Sequence, residues 1–172
     1  MIQGQVVALR ALEDRDIEIL RGWRNHPDLM KFHFSDLPVS EAGQRRWYQN
    51  YSGDSGTIVF IIETEDQNPA GYTILKNLDH KNRQAEIGLY LDPTRQGKGY
   101  GKDAFLTLIR YGFHELNLHR IYLEVFSFNE KSLQMYEKMG FKTEGRKREA
   151  FFSQNQYHDI IVMSVLETEF EK

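Results

Sequence analysis

Residues Arg95 to Lys102 read Arg-Gln-Gly-Lys-Gly-Tyr-Gly-Lys, with glycine at every second position from Gly97 to Gly101. No helix or strand interior tolerates that density of glycine, so the segment marks a junction. A strand-like run ending at Asp92-Pro93 precedes it, and apolar residues at helical spacing follow. Bare backbone lets N–H groups approach an anion closely, and the helix that starts here adds the positive end of its dipole. Lys98 and Lys102 add full charges. The segment is a cradle for a pyrophosphate.

Two common phosphate loops do not fit. A Walker loop needs a glycine five residues before Gly101, where Gln96 stands, and a dinucleotide fingerprint counted from Gly97 needs one at Lys102. The pattern present is Gln96-x-x-Gly99-x-Gly101.

The chain's 172 residues suffice for one domain with a proper core, and we expect a single domain over 1–172. Its net charge of −3 supplies no field towards nucleic acid, and the cluster Arg146-Lys147-Arg148 is flanked by Glu144 and Glu149. Cysteine is absent, which excludes disulfides and thiolate catalysis and fits a reducing, cytoplasmic setting. The run Ile58 to Ile62 is too short to span a bilayer, so no membrane partner is expected. The six histidines do not combine with carboxylates at ligand spacing, and no metal is assigned.

Periodicity yields a strand at Val6 to Leu9 and a helix capped by Asp14 with Ile17, Leu20 and Trp23 on one side. A second helix starts near Ser40. Two strands, Thr57 to Glu63 and Gly71 to Lys76, follow. Along Arg83 to Leu91, Ala85, Ile87, Leu89 and Leu91 face one way, and Glu86, Gly88 and Tyr90 the other. A helix carrying Phe105, Leu108, Ile109 and Phe113 leads to a strand at Ile121 to Phe126. Asn129 caps the next helix, Gly140 ends it, and a hairpin of Gly145 to Ser153 with Tyr157 to Val165 closes the chain. The fold class expected is a mixed α/β layer, with the glycine loop at the carboxyl end of a strand.

Gln96-x-x-Gly99-x-Gly101, followed by Asn129-Glu130-Lys131-Ser132, Tyr136 and Gly140-Phe141, resembles the GNAT superfamily of N-acetyltransferases. The resemblance covers nearly the whole chain. It looks closest to the RimJ/RimL branch through Leu9-Arg10, Trp23-Arg24-Asn25 and the stretch from Glu144-Gly145 to Tyr157-His158-Asp159. It implies a mostly antiparallel mixed sheet flanked by helices, with splayed strands forming an acetyl-CoA cleft. The implied reaction is direct attack of a primary amine on acetyl-CoA in a ternary complex, without a metal.

The same resemblance assigns the pyrophosphate to Gln96, Gly97, Lys98, Gly99, Tyr100, Gly101 and Lys102. The pantetheine arm goes to the backbone of Leu89, Tyr90 and Leu91, with Asn129 and Ser132. Tyr136 is implied as the general acid, because a phenol remains protonated at neutral pH. Glu86 is the candidate base, acting directly or through one water; an ordinary solvent-facing glutamate is the other reading. Trp23, Arg24, Phe34 and Tyr157 are candidates on the acceptor side; the other reading, for Trp23 above all, is packing of the helices on the sheet, whereas Arg24 suits an anionic portion of the acceptor.

The acceptor implied is a protein N-terminus or a small amine. Amino-sugar-nucleotide acetyltransferases share a similar stretch, Trp23 to Pro27, so an amino-sugar nucleotide is an alternative acceptor. Polyamine acetyltransferases of similar sequence carry carboxylates where Ser35 and Asn77 stand here, although Asp36, Asp79 and Glu86 remain. A non-catalytic acyl-CoA-binding module stays open as a different class, against which Tyr136 argues. A homodimer or larger homo-oligomer is compatible with the chain.

Overall fold

The computed structural model describes residues 1–32, 37–51 and 56–170. Its strands, in chain order, are β1 (Ile2–Gln3), β2 (Val7–Ala11), β3 (Ile58–Thr64), β4 (Pro69–Asp79), β5 (Gln84–Leu91), β6 (Arg120–Phe126), β7 (Lys142–Ser153) and β8 (Gln156–Leu166). The helices are α1 (Ile17–Arg24), α2 (Pro27–Met30), α3 (Glu41–Tyr51), α4 (Tyr100–His114), α5 (Glu130–Lys138) and α6 (Glu167–Phe170). All eight strands join one sheet in the order β1-β2-β3-β4-β5-β6-β8-β7. Every pairing is antiparallel except β5 with β6. The mixed, mostly antiparallel sheet expected from the sequence is the one observed.

Alternation along the strands sorts their side chains onto two faces. Ile62, Leu75, Ala85 and Ile87 join α4 in one core, where Phe105, Leu108 and Ile109 are fully buried. Burying one such side chain contributes about 1.5–3 kcal/mol. Val59, Ile61 and Tyr72 meet Leu20, Trp23 and Leu29 in a second core, formed with α1 and α2. The sheet thus lies between two helical layers.

The carboxylate of Asp103, in the first turn of α4, accepts hydrogen bonds from the backbone N–H groups of Gln5, Val6 and Val7 at 2.8–3.0 Å. Gly4 permits that approach, since a Cβ there would lie 2.5 Å from Asp103 Oδ2. The start of the chain is therefore pinned beside the helix that opens at the glycine loop.

Asp14 begins a three-residue 3-10 turn and does not cap α1; Asp16 closes the turn instead by accepting from Glu13 N at 2.9 Å. The segment at Pro27, expected only to end the first helix, starts the one-turn α2, with Pro27 in the first turn and His26 Nδ1 accepting from Asp28 N. Phe34, Ser35 and Asp36 lie outside the described residues.

Candidate functional site

The parallel ladder between β5 and β6 comprises three pairs and ends at Glu86 and Tyr122. On its other edge β5 stays paired to β4 as far as Leu91 with Gly71. Beyond Glu86 the sheet opens, and a cleft of about 630 Å³ enters it between Leu89, Tyr90 and Leu91 on one side and Leu123 and Val125 on the other. This is the splay that the sequence resemblance implied.

One end of the cleft is the glycine loop. Gln96, Gly97, Gly99, Gly101 and Lys102 line it. Gly97 and Gly99 have φ of 80° and 82°, and Gly99 is the residue that caps α4. An added Cβ at either would meet no protein atom within 4 Å. Their glycine requirement is therefore conformational, and the space above them is open to a ligand. Lys98 is exposed and Tyr100 packs on the main core, so neither side chain lines the cleft.

Tyr136, on α5, lines the cleft and leans on Phe105 and Phe141, with ring centroids 5.3 and 5.9 Å away. Burial, aided by the neighbouring Tyr90 phenol and opposed by a hydrogen bond with Ser132, pushes its hydroxyl up to about 12. A phenol so placed remains a proton donor at neutral pH. Asn129 Oδ1 caps α5 by accepting from Ser132 N at 3.3 Å, which seats Asn129 and Ser132 together on the cleft wall.

Glu86 is not an ordinary solvent-facing glutamate. Lys76 Nζ lies 2.8 Å from its Oε1, and Asn77 Nδ2 donates to its Oε2 at 2.9 Å. A register shift follows Lys76, and Asn77 has φ of 55°, a local kink in β4 at the point where its amide meets Glu86. A carboxylate offers about four acceptor positions, so two contacts leave room for a third partner.

Beside this pair, Tyr72 and Tyr90 stack with centroids 4.5 Å apart. Burial raises both phenols, and Lys76, Arg24 and Glu86 all act on Tyr90. Arg24, Phe32 and Trp47 add a wall from the α1–α3 side. Lys76 and Tyr72 escaped the sequence reading. Their signal is the register that sets Lys76 opposite Glu86 and Tyr72 opposite Tyr90, which strand periodicity alone does not contain.

Two acceptor candidates stand elsewhere. Trp23 is buried in the second core, where its Nε1 donates to Asp92 Oδ2 at 3.0 Å and tethers α1 to the end of β5. Tyr157 is 64% exposed at the tip of the β7–β8 hairpin, against Phe152. Phe34 is outside the described residues. Among the described residues no cluster of three potential metal ligands occurs, and no helix is long and apolar enough to cross a membrane.

Residues 7–142 match the model of the acetyltransferase (GNAT) domain family. The chain is 30% identical to the spermidine N(1)-acetyltransferase of Vibrio cholerae serotype O1, over 95% of each chain. It is 32% identical to YdaF of Bacillus subtilis, named as a candidate ribosomal N-acetyltransferase, over 96% of this chain and 93% of that one. The crystal structure of a Vibrio cholerae spermidine N-acetyltransferase with CoA and spermine superposes with a TM-score of 0.92, at 30% identity, covering 96% of this chain and 98% of that one.

Proposed function

The chain belongs to the GNAT acetyltransferase family and is an acetyl-CoA-dependent N-acetyltransferase; we propose that it acetylates the primary amine of a small molecule brought against Glu86. The observation that carries this reading is the cleft itself. Its glycine loop suits a pyrophosphate, its opened strand edge suits an amide-rich arm, and Tyr136 and Glu86 stand on its walls.

In this reading acetyl-CoA lies along β5, with its pyrophosphate on Gln96 to Lys102 and its arm beside Leu89, Tyr90 and Leu91 as an added strand. Asn129 and Ser132 border the arm. The acceptor enters from the Arg24, Phe32 and Trp47 side. Glu86 takes a proton from the ammonium, directly or through a water. The amine nitrogen then bonds to the thioester carbon, the carbon–sulfur bond breaks, and Tyr136 donates its proton to the leaving thiolate. The surplus proton on the acylated nitrogen passes to the Tyr136 phenolate, leaving a neutral amide, the free thiol and one proton on Glu86. One domain spanning 1–172 accounts for the chain, and the cysteine-free composition supports a cytoplasmic setting.

Relatives that act on spermidine support a small amine. The cleft differs from a polyamine cage in one respect: its described carboxylates, Glu86 and Glu124, are each paired with a lysine, Lys76 and Lys147. The RimJ/RimL-like reading, transfer to a protein N-terminus, is the second one, supported by the identity to YdaF. Free-thiol release from acetyl-CoA, followed with spermidine, amino sugars and N-terminal peptides as acceptors, tests both. Release with a small amine and none with peptides is expected; the reverse would overturn the first reading.

A further inference from the structure

Arg24 ends α1 and lines the acceptor side of the cleft. Its Nη1 donates to Gln44 Oε1 at 3.0 Å, and its guanidinium carbon lies 5.7 Å from the centroid of the Trp47 ring. Among the described residues no carboxylate pairs with it. The other cation near this end, Lys76, is already paired with Glu86.

Gln44 adds a second observation. It is fully buried in α3, and its Nε2 has no hydrogen-bond partner among the described residues. A buried amide with an unsatisfied donor destabilises the fold, and an apolar residue would pack α3 better. What Gln44 does provide is a fixed orientation for Arg24. A guanidinium held by one N–H and set near an indole keeps its remaining N–H edge for an oxyanion, which it can bind through two parallel hydrogen bonds.

We propose that the acceptor is an amine that also carries a carboxylate or phosphate, and that Arg24, oriented by Gln44 and Trp47, receives that anion. The amine end then meets Glu86 and the anionic end meets Arg24 in one cleft. Tyr90, which experiences both Arg24 and Glu86, lies within the field of each. This rests on transfer to a small amine and narrows it: a polyamine would bring further positive charge towards an arginine that no carboxylate among the described residues pairs with.

The test uses the full chain and two matched pairs of amines: 1,4-diaminobutane with 4-aminobutyrate, and glucosamine with glucosamine 6-phosphate. Thiol release gives KM for each. In at least one pair the anionic member is expected to have a KM about tenfold or more below its twin, and Arg24→Gln should raise it by about 10–100-fold, the worth of a charge-assisted hydrogen bond. The pair that responds tells carboxylate from phosphate. Arg24→Lys should recover part of the loss, and KM for acetyl-CoA should stay put. Equal KM values within both pairs would overturn the proposal, as would an Arg24→Gln effect confined to acetyl-CoA. If no small amine is acetylated, transfer to small amines fails, and calorimetry still decides the anion site. With protein saturated in CoA, binding of 4-aminobutyrate or glucosamine 6-phosphate that Arg24→Gln abolishes supports it; no binding to the parent refutes it.

Discussion

Lys76 and Glu86 face each other across β4 and β5, with Nζ 2.8 Å from Oε1, at the point where the β5–β6 ladder ends. The candidate base is thus held in place by the neighbouring strand. Glu86→Gln retains the shape and removes the proton acceptor. Turnover should fall near pH 7 and recover as pH rises towards the amine's own pKa, where neutral acceptor is already present. A pH–rate profile superimposing on the parent's would reduce Glu86 to a partner for Lys76. A raised acceptor KM with an unchanged profile would make it a binding group.

Tyr136→Phe removes one hydroxyl and keeps the ring against Phe105 and Phe141. With the phenol's pKa near 12, the parent stays protonated across the working range. The variant's kcat should fall by a factor on the order of 10²–10⁴, the span usual for general acid–base groups. Acetyl-CoA affinity should hold within a few-fold. Near-normal single-turnover rates would assign the ring to packing alone.

Gly99 caps α4 with φ of 82°, so any side chain there incurs backbone strain even though the space is open. Gly99→Ala should cost roughly 1–2 kcal/mol of stability from the left-handed conformation. Its methyl group also enters the space where the pyrophosphate approaches. Calorimetry on the folded variant should therefore show acetyl-CoA binding weakened beyond what the stability loss accounts for. Unchanged affinity would remove the loop from the cofactor site.

Away from the cleft, Arg10 ties β2 to β3 and to the 3-10 turn before α1 by ion pairs to Glu63 at 2.6 Å and Asp16 at 2.7 Å. Burial works against ionised Asp16, but hydrogen bonds from Arg10 and from Glu13 N outweigh it and hold its pKa below the ordinary 3.8. A depressed carboxyl contributes stability above the unfolded value and loses it as pH falls through the folded one. Acid sensitivity from this network should therefore begin below about pH 4. Asp16→Ala leaves a buried guanidinium short of a partner and should cost roughly 3–5 kcal/mol in urea unfolding. A loss under 1 kcal/mol would mean that water or Glu63 compensates.

The glycine loop was legible because Gly97 and Gly99 adopt a conformation that few other residues tolerate, and sequence records that demand directly. Glu86 was legible as a side chain on the face opposite Ala85 and Ile87. Its partners were not. Lys76 and Asn77 reach it through strand register and a kink, and neither leaves a local pattern. Trp23, an aromatic beside Arg24, allowed both a ligand wall and helix packing; its ring fills the core, and its indole N–H serves Asp92, a partner that local spacing does not name. Gln44 gave no sign at all, since a glutamine on a polar-looking helix reads as surface until α3 is seated.

The three-pair ladder between β5 and β6 has a mechanical meaning as well. Strands β1 to β5 and strands β6 to β8 are two half-sheets sewn together by the short ladder of Gln84–Glu86 with Arg120–Tyr122, which Arg83 O begins by accepting from His119 N and Arg120 N. A cosubstrate lying in the gap and touching both banks works as a rivet, placed where the stitching stops. Occupancy should therefore slow amide exchange along Ile87 to Leu91 and Leu123 to Val125 together, on strands that belong to different halves. Each catalytic cycle would then loosen and retighten the seam of the sheet as product leaves and fresh acetyl donor arrives.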